Sequence, residues 1–410
     1  MSPFKKVISA SLSPNTQSDD VLRALTMTFS PWKWLDGSSV KRIEKWFELT
    51  YPKTVSVSFN SGRSALLAIL TAFGISKGDE VLVQAFTCVA VPNSVLWAGA
   101  KPVFVDIDDS LNLDISDAEV KLTVKTRAIV VQHTLGIPAD MGAVMAFARK
   151  HKLLVIEDCA HSLGATYEGK KVGSFGDAAF FSFGRDKVVS SVFGGLAIIP
   201  KKYKKEIKKL FDFQQNLKYP SYYWILQQLL HPVIFSIVLP TYNSGVGKAL
   251  LLVSQRLKLL SFPVYPEEKR GGKPKDFPKK YPNALAHLLE LQLTKLEALN
   301  NRRKLIAGYY HAQVASLGGR VTQFRDGSIY LRQPFIVPNP NLVISRAKKS
   351  GILLGNWYHN TIDPTGVSFE NIGYRKGSCP KAEETAGQIT NLPTNISEGE
   401  AKLVMDQLYG

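Results

Sequence analysis

Four short stretches of the chain hold side chains that can do chemistry. In GSFGDAAFFSFGRDKVVSSVFGG, Ser182 and Lys187 follow the apolar run AAFFSF, and Gly194-Gly195 precede another, LAIIP. A lysine after a strand is ordinarily a solvated surface residue. One placed between two buried runs is desolvated, its pKa falls, and the neutral amine can form a Schiff base with an aldehyde. In LLVIEDCAHSLGATY, Asp158 ends an apolar strand, where α/β sheets place ligands, and His161 follows three residues later. An acid at the edge of a buried strand is costly unless a cation meets it. Asp158 either holds a loop or holds a protonated heteroaromatic nitrogen. In FNSGRSALLAIL, a strand ends at Phe59 and Ser61-Gly62-Arg63-Ser64 turns into a helix. Free N–H groups at a helix start can bind an anion, and Gly lets a phosphate approach closely, although most such turns are only caps. In VVQHTLGIPADM, His133 ends another strand and alone reads as a satisfied core histidine.

Such residues need a scaffold that brings strand ends together, and the chain predicts one. From Thr54, β-rich runs (VSVSF, EVLVQAF, PVFVDI, AIVVQH, LLVIED, AAFFSF, LAIIP) alternate with helical stretches such as SALLAILTAFGI and MGAVMAFARKH. Short apolar runs separated by helices indicate an α/β fold with a parallel sheet covered on both faces. We expect an N-terminal segment over 1–53, a large α/β domain over 54–200, an insertion over 201–280, and a long helix with a small C-terminal α+β domain over 281–410. The long helix is expected from Ala284 to Val314. Hydrophobic residues are 45% and charged residues 21%, which excludes a largely disordered chain of 410 residues. Three widely spaced cysteines, Cys88, Cys159 and Cys379, offer neither a disulfide framework nor a zinc pattern, so no metal is expected. The start, MSPFKKVISASLSPN, lacks an apolar run long enough for a signal peptide, and a cytoplasmic location is expected.

The net charge of +17 suggests an anionic partner, and its placement is uneven. Residues 201–280 hold sixteen Lys and Arg against five Asp and Glu, an excess of +11. The same region is free of charged side chains from Tyr219 to Gly247, with the apolar centre YYWILQQLLHPVIFSIVLP. Gln227, Gln228, His231, Pro232 and Pro240 argue against a clean membrane span. Two readings stay open: a hydrophobic insertion buried in a dimer, or a shallow contact with an anionic membrane in which lysines such as Lys201, Lys202, Lys204 and Lys205 flank the apolar centre. No interleaved aromatic-basic motif points to nucleic acid.

Taken together, an anion cup, an acid, a Ser and a lysine at strand ends of one α/β domain are the equipment for pyridoxal phosphate. The run VIEDCAHSLGATYEGKKVGSFGDAAFFSFGRDK also resembles the signature of the DegT/DnrJ/EryC1/StrS aminotransferases, as do GDEVLVQAFTCVAVPNSVLWAGAKPVFVDID, HTLGIPADM and SCPKAEETAGQITNLP. The resemblance implies the fold-type-I PLP-dependent transferase fold, a homodimer, and transfer of an amino group from an amino acid, glutamate above all, to a nucleotide-linked keto-sugar. It implies that Lys187 is the Schiff-base lysine, that Asp158 pairs with the pyridine nitrogen, that His161 lies near the ring oxygen, and that Ser182 with the Gly62-Arg63 turn binds phosphate. The chain departs from the pattern in places. Cys88 stands where the family usually stacks an aromatic residue on the ring, with Phe86 close by. Gly184-Arg185-Asp186 replaces His-Pro-Thr before the lysine, and Val192-Phe193 replaces Gly-Glu before the paired glycines. Lys280 and Asn283 are the candidates for residues given to a second subunit. Two alternatives remain: a PLP-dependent sugar dehydratase or lyase, against which Lys187 counts because related dehydratases carry histidine there, and a non-catalytic, membrane-associated scaffold or regulator on the same fold.

Overall fold

The computed structural model describes residues 7–316 and 322–409. The first six residues of the expected N-terminal segment, and residues 317–321 and 410 of the expected C-terminal part, lie outside the described residues. Seven runs rich in β-branched and aromatic residues form one sheet: β1 (Thr54–Phe59), β2 (Glu80–Gln84), β3 (Lys101–Val105), β4 (Thr126–Gln132), β5 (Leu154–Asp158), β6 (Ala178–Ser182) and β7 (Gly195–Pro200). Their spatial order is β1-β7-β6-β5-β4-β2-β3. Strand β7 alone runs against its neighbours, β1 and β6.

Helices α1 (Ser18–Thr28) and α2 (Ser38–Thr50) precede the sheet in the chain. Alternate residues of the central strands feed two layers. Ala178 and Phe180 pack on one face with α3 (Gly62–Ala72) and α4 (Ala90–Trp97), while Ala179 and Phe181 pack on the other. Both faces are dry, so the strands read as continuous apolar runs rather than as an alternation. This is the expected α/β arrangement of a mostly parallel sheet covered by helices. A small α+β part follows, in which β8 (Arg332–Ile336) pairs antiparallel with β9 (Ile389–Pro393). One of its links to the large α/β part is a short parallel pairing of Thr87–Cys88 with Ile362–Asp363, a two-stranded sheet of its own.

Two expectations change. The helix expected over 284–314 is a pair, Asn283–Thr294 and Leu296–Ser316, meeting at Lys295. There the Lys295 N–H bonds to Gln292 O, a tighter turn, and its ammonium is drawn to Asp19 and Asp20 at 2.5 and 3.1 Å.

The second change concerns the insertion. Its apolar centre forms a helix over Tyr222–Val238 that turns inward, burying Trp224, Ile225, Leu229, Phe235 and Val238. It packs on the helices Ser18–Thr28 and Asn283–Thr294. Gln227 and Gln228 are satisfied by Lys258 O and Trp224 O, which is how amides are tolerated inside. The lysine-rich helix Lys204–Gln215 packs through Leu210 on α3, which is the opposite face of the sheet. Between the two helices the chain rounds the edge strand β1, so Lys201, Lys202, Lys204 and Lys205 do not flank the apolar centre. No helix among the described residues is long and apolar enough to cross a membrane.

Candidate active site

The carboxyl ends of β1, β4, β5 and β6 meet at one rim of the sheet. In register, Gln132 and Phe180 lie beside Asp158, and Ser182 and Phe59 lie beside Gly195. A cavity of about 410 Å³ opens at this rim, and Gly62, Arg63, Cys88, Asp158, His161, Ser182 and Lys187 all line it. The residues singled out in the sequence, 62 to 187, are therefore brought together. His133 is not among them. It is fully buried, its Nδ1 accepts the Ala139 N–H, and its Nε2 faces Glu157 at 3.3 Å.

Lys187 sits in the loop between β6 and β7, where its N–H closes a turn onto Gly184 O. Asn15 donates to the carbonyls of Lys187 and Val188 at 2.7 and 3.1 Å, and Arg303 donates to Val188 O at 2.8 Å. The lysine backbone is thus clamped from the N-terminal segment and from the long helix pair. Its Nζ lies 2.8 Å from His161 Nε2 and 4.8 Å from the centre of the Trp357 ring. Burial pushes the Lys187 amine below the ordinary lysine range. Burial, with Lys187 and Arg332 nearby, pushes His161 well down as well. His161 Nδ1 accepts the Leu135 N–H at 3.3 Å, so in the neutral ring the proton rides on Nε2 and points at Lys187.

Asp158 is 4% exposed, and burial raises its carboxyl pKa. It accepts the Ala160 N–H at 2.9 Å and forms no ion pair among the described residues. Its neighbour Glu157 points to the other side of the strand and is filled by the N–H groups of Gly173, Phe175 and Gly176. Adjacent strand positions face opposite sides, so one acid organises a loop and the other is left for the cavity.

The third component is the start of α3. Ser61 caps it by accepting the Ser64 N–H, which leaves the first-turn N–H groups of Gly62 and Arg63 aimed outward. A Cβ on Gly62 would stand 2.9 Å from Ser182 Cβ, and one on Gly195 would stand 2.2 Å from Ser61 O. The cradle is therefore shaped by absent side chains. The Arg63 side chain turns away: its guanidinium pairs with buried Glu268, donates to Pro263 O at 2.8 Å and covers the Phe277 ring.

Cys88 lines the cavity, whereas Phe86 is fully buried behind it against Tyr358. Trp357 and Tyr358 line the cavity too, and sequence reasoning missed them. Trp357 stacks on His161 with centroids 5.0 Å apart and planes 13° from parallel. The signal available was the aromatic pair in GNWYHN, but nothing local ties it to a site about 170 residues earlier. Arg332, which sequence reasoning also missed, stands behind Trp357 rather than in the cavity wall, with Asp186 at 3.8 Å. It is 1% exposed, lies 3.6 Å over Trp357, and none of its guanidinium nitrogens has a hydrogen-bond partner among the described residues. Phe262, Pro263, Val264 and Lys269 of the insertion form one wall. Lys280 and Asn283 lie elsewhere: Asn283 is buried and holds Ser39 N and Lys33 O, and Lys280 covers the Tyr219 ring.

The DegT/DnrJ/EryC1/StrS aminotransferase family model matches residues 15–218 and 277–409, which takes in every one of the seven cavity residues above. The chain belongs to this family. Within it, the GDP-perosamine synthase of Caulobacter vibrioides is 40% identical over 190 residues, covering 46% of this chain and 50% of that protein. The chain thus spans about half the length of the curated relatives it matches at such identity. The pleiotropic regulatory protein of Geobacillus stearothermophilus is 28% identical over 392 residues, covering 95% of this chain and 93% of that one. Among solved structures, NtdA of Bacillus subtilis, with bound cofactor PMP, is 21% identical and superposes with a TM-score of 0.73. That match covers 99% of this chain and 85% of NtdA, and it establishes the shared fold. Residues 219–276, which include the inward-folded apolar helix, fall outside the aminotransferase family match.

Proposed function

We propose that this chain is a PLP-dependent aminotransferase that moves an amino group from an amino acid, glutamate above all, to a nucleotide-linked keto-sugar used in surface glycan synthesis. The observation that carries the reading is Lys187 Nζ, buried in the cavity beside His161 and in the same pocket as unpaired Asp158. The cavity fits the cofactor. Its cradle exists only because Gly62 and Gly195 lack a Cβ, and a buried acid without a cation waits beside it. Lys187 would hold the aldehyde carbon, Asp158 the ring nitrogen, and Ser182 with the N–H groups of Gly62 and Arg63 the phosphate. His161, stacked on Trp357, would lie at the ring. Cys88 is in contact distance of the same pocket. When bound, the cofactor supplies an electron sink and carries the amino group between donor and acceptor.

The chain's own residues do the rest. Lys187 Nζ would take a proton from the donor α-carbon as general base and would return one as general acid. Burial suits it, because an amine held below the usual lysine range is more readily deprotonated than a solvated lysine. Asp158 would meet the ring nitrogen as the carboxylate that favours its protonated form. Trp357, Tyr358 and Phe193 line the cavity with aromatic surface and limit water. The name of the perosamine synthase supports a nucleotide-linked sugar as acceptor. Borohydride reduction of the holoprotein should fix the cofactor to the Lys187 peptide, and reduced cofactor on another lysine would overturn the assignment.

The reading includes a homodimer, a cytoplasmic location, and a peripheral contact between the 201–280 insertion and an anionic membrane. A second reading, a regulator without turnover, is favoured by one observation: a relative matching 95% of this chain is named a regulatory protein. Colour separates them. A catalytic protein purifies yellow and bleaches when glutamate is added, and the resulting amine form converts a keto-sugar nucleotide to a product heavier by the amino group in mass spectrometry.

A further inference from the structure

The helix over Val246–Arg256 turns one side inward and leaves another open. Its inward side holds Gly247 and Ser254, seven apart and both buried, with Leu250 and Leu251 half-buried between them. A Cβ on Gly247 would stand 2.3 Å from Val238 O, so this side lies tight against the end of the preceding helix. The opposite side carries Val246, Ala249, Val253 and Leu257 at i, i+3, i+7 and i+11, one stripe of a helix. Val246, Val253 and Leu257 are 61%, 50% and 62% exposed, and Leu252 beside them is 60% exposed. A helix lying on a globular protein ordinarily gives its outward side to polar residues, so an open aliphatic stripe calls for a partner. Tyr223 extends the patch, since its hydroxyl donates to Lys258 O at 2.7 Å while half its surface stays open.

Charge identifies what meets this face. No Asp or Glu occurs from residue 213 to residue 266, while Lys248, Arg256 and Lys258 rim the stripe. A second copy of the chain is a poor occupant. A two-fold contact sets a patch against itself, so each cation would face cations with no acid to meet them. An anionic bilayer suits both features, because aliphatic side chains enter the headgroup boundary and lysines and arginines meet the lipid charge.

We propose that the outward stripe of the Val246–Arg256 helix, with Tyr223, is the element that inserts into an anionic membrane surface. This rests on the membrane reading of the insertion and narrows it: the longer apolar helix is internal, and the lysines at 201–205 belong to the other face of the sheet. Because Phe262, Pro263 and Val264 of the same insertion wall the reaction cavity, the cavity would stand close to the lipid surface.

The test is flotation of the full chain with vesicles of equal phosphatidylglycerol and phosphatidylcholine, and with phosphatidylcholine alone, at low and high salt. The intact protein should float with the anionic vesicles and lose binding as salt rises. V253E/L257E should cut the bound fraction at least tenfold. K248Q/R256Q/K258Q should weaken binding by about fivefold per cation and flatten its salt dependence. V124E, at an exposed site in the loop before β4, should bind like the intact protein. If the intact protein never floats, the membrane reading itself fails. If it floats and V253E/L257E floats equally well, that reading stands and this surface is wrong. If light scattering shows V253E/L257E breaking an oligomer while flotation is unchanged or absent throughout, the stripe is a contact between copies and the proposal falls.

Discussion

The hydrogen bond between His161 and Lys187 fixes where a proton sits before any ligand arrives. His161 Nδ1 is occupied by the Leu135 N–H, so the neutral ring carries its proton on Nε2, 2.8 Å from Lys187 Nζ. An N–H aimed at an amine needs a lone pair there, which means neutral Lys187. Burial acts in the same direction on both groups. The perturbation is His161→Phe, which keeps a ring against Trp357 and deletes the donor. One neutral hydrogen bond contributes about 1 kcal/mol, so its loss should strengthen proton binding at Lys187 by about fivefold. The assay is competitive acetylation of the cofactor-free chain across pH, read by mass spectrometry at the Lys187 peptide against an exposed lysine such as Lys201. In the intact chain Lys187 should become reactive at lower pH than Lys201, and in His161→Phe its curve should shift toward Lys201. The sign for stability follows. A base whose folded pKa is below its unfolded value of 10.5 penalises the fold while protonated, so the cofactor-free chain should gain stability as pH rises through the lowered Lys187 pKa toward 10.5. Identical curves for Lys187 and Lys201 would refute the reasoning.

Two further substitutions probe the rest of the cavity. Asp158→Asn should retain cofactor but lose roughly a hundredfold or more in turnover, because a neutral amide no longer favours a protonated ring; single-turnover kinetics near the intact rate would rule that role out. Gly62→Ala puts a methyl 2.9 Å from Ser182 Cβ. It should weaken cofactor binding, measured by absorbance titration, and cost about 1–3 kcal/mol by melting, offset in part by better helix propensity, whereas unchanged affinity would mean the cradle is not a phosphate site.

Much of the cavity was legible because its residues lie at strand ends. An apolar run that stops at Asp158 or Phe59 declares both the strand and its rim, and β-sheet register then places the rims side by side. Trp357 was not legible, since its packing on His161 depends on the C-terminal part docking through the Thr87–Cys88 and Ile362–Asp363 pairing. Nor was the break at Lys295, where the ammonium meets Asp19 and Asp20 of the N-terminal part, a contact that no local period reports.

The amino-acid sequence by itself determined the α/β alternation, the lysine, the acid and the glycine turn, because each is expressed within a few residues through periodicity, strand length and side-chain type. Tertiary structure alone decided which face each element turned to its neighbours. The apolar helix over Tyr222–Val238 could bury itself in this chain or in something else, and the free surface of the Ser18–Thr28 and Asn283–Thr294 helices settled that it stays inside. The lysine-rich Lys204–Gln215 helix was sent to the opposite sheet face by its Leu210 contact with α3, and the Val246–Arg256 helix was left with its aliphatic stripe outward. Periodicity reports that a helix has an apolar stripe; what that stripe meets depends on surfaces brought together from distant parts of the chain.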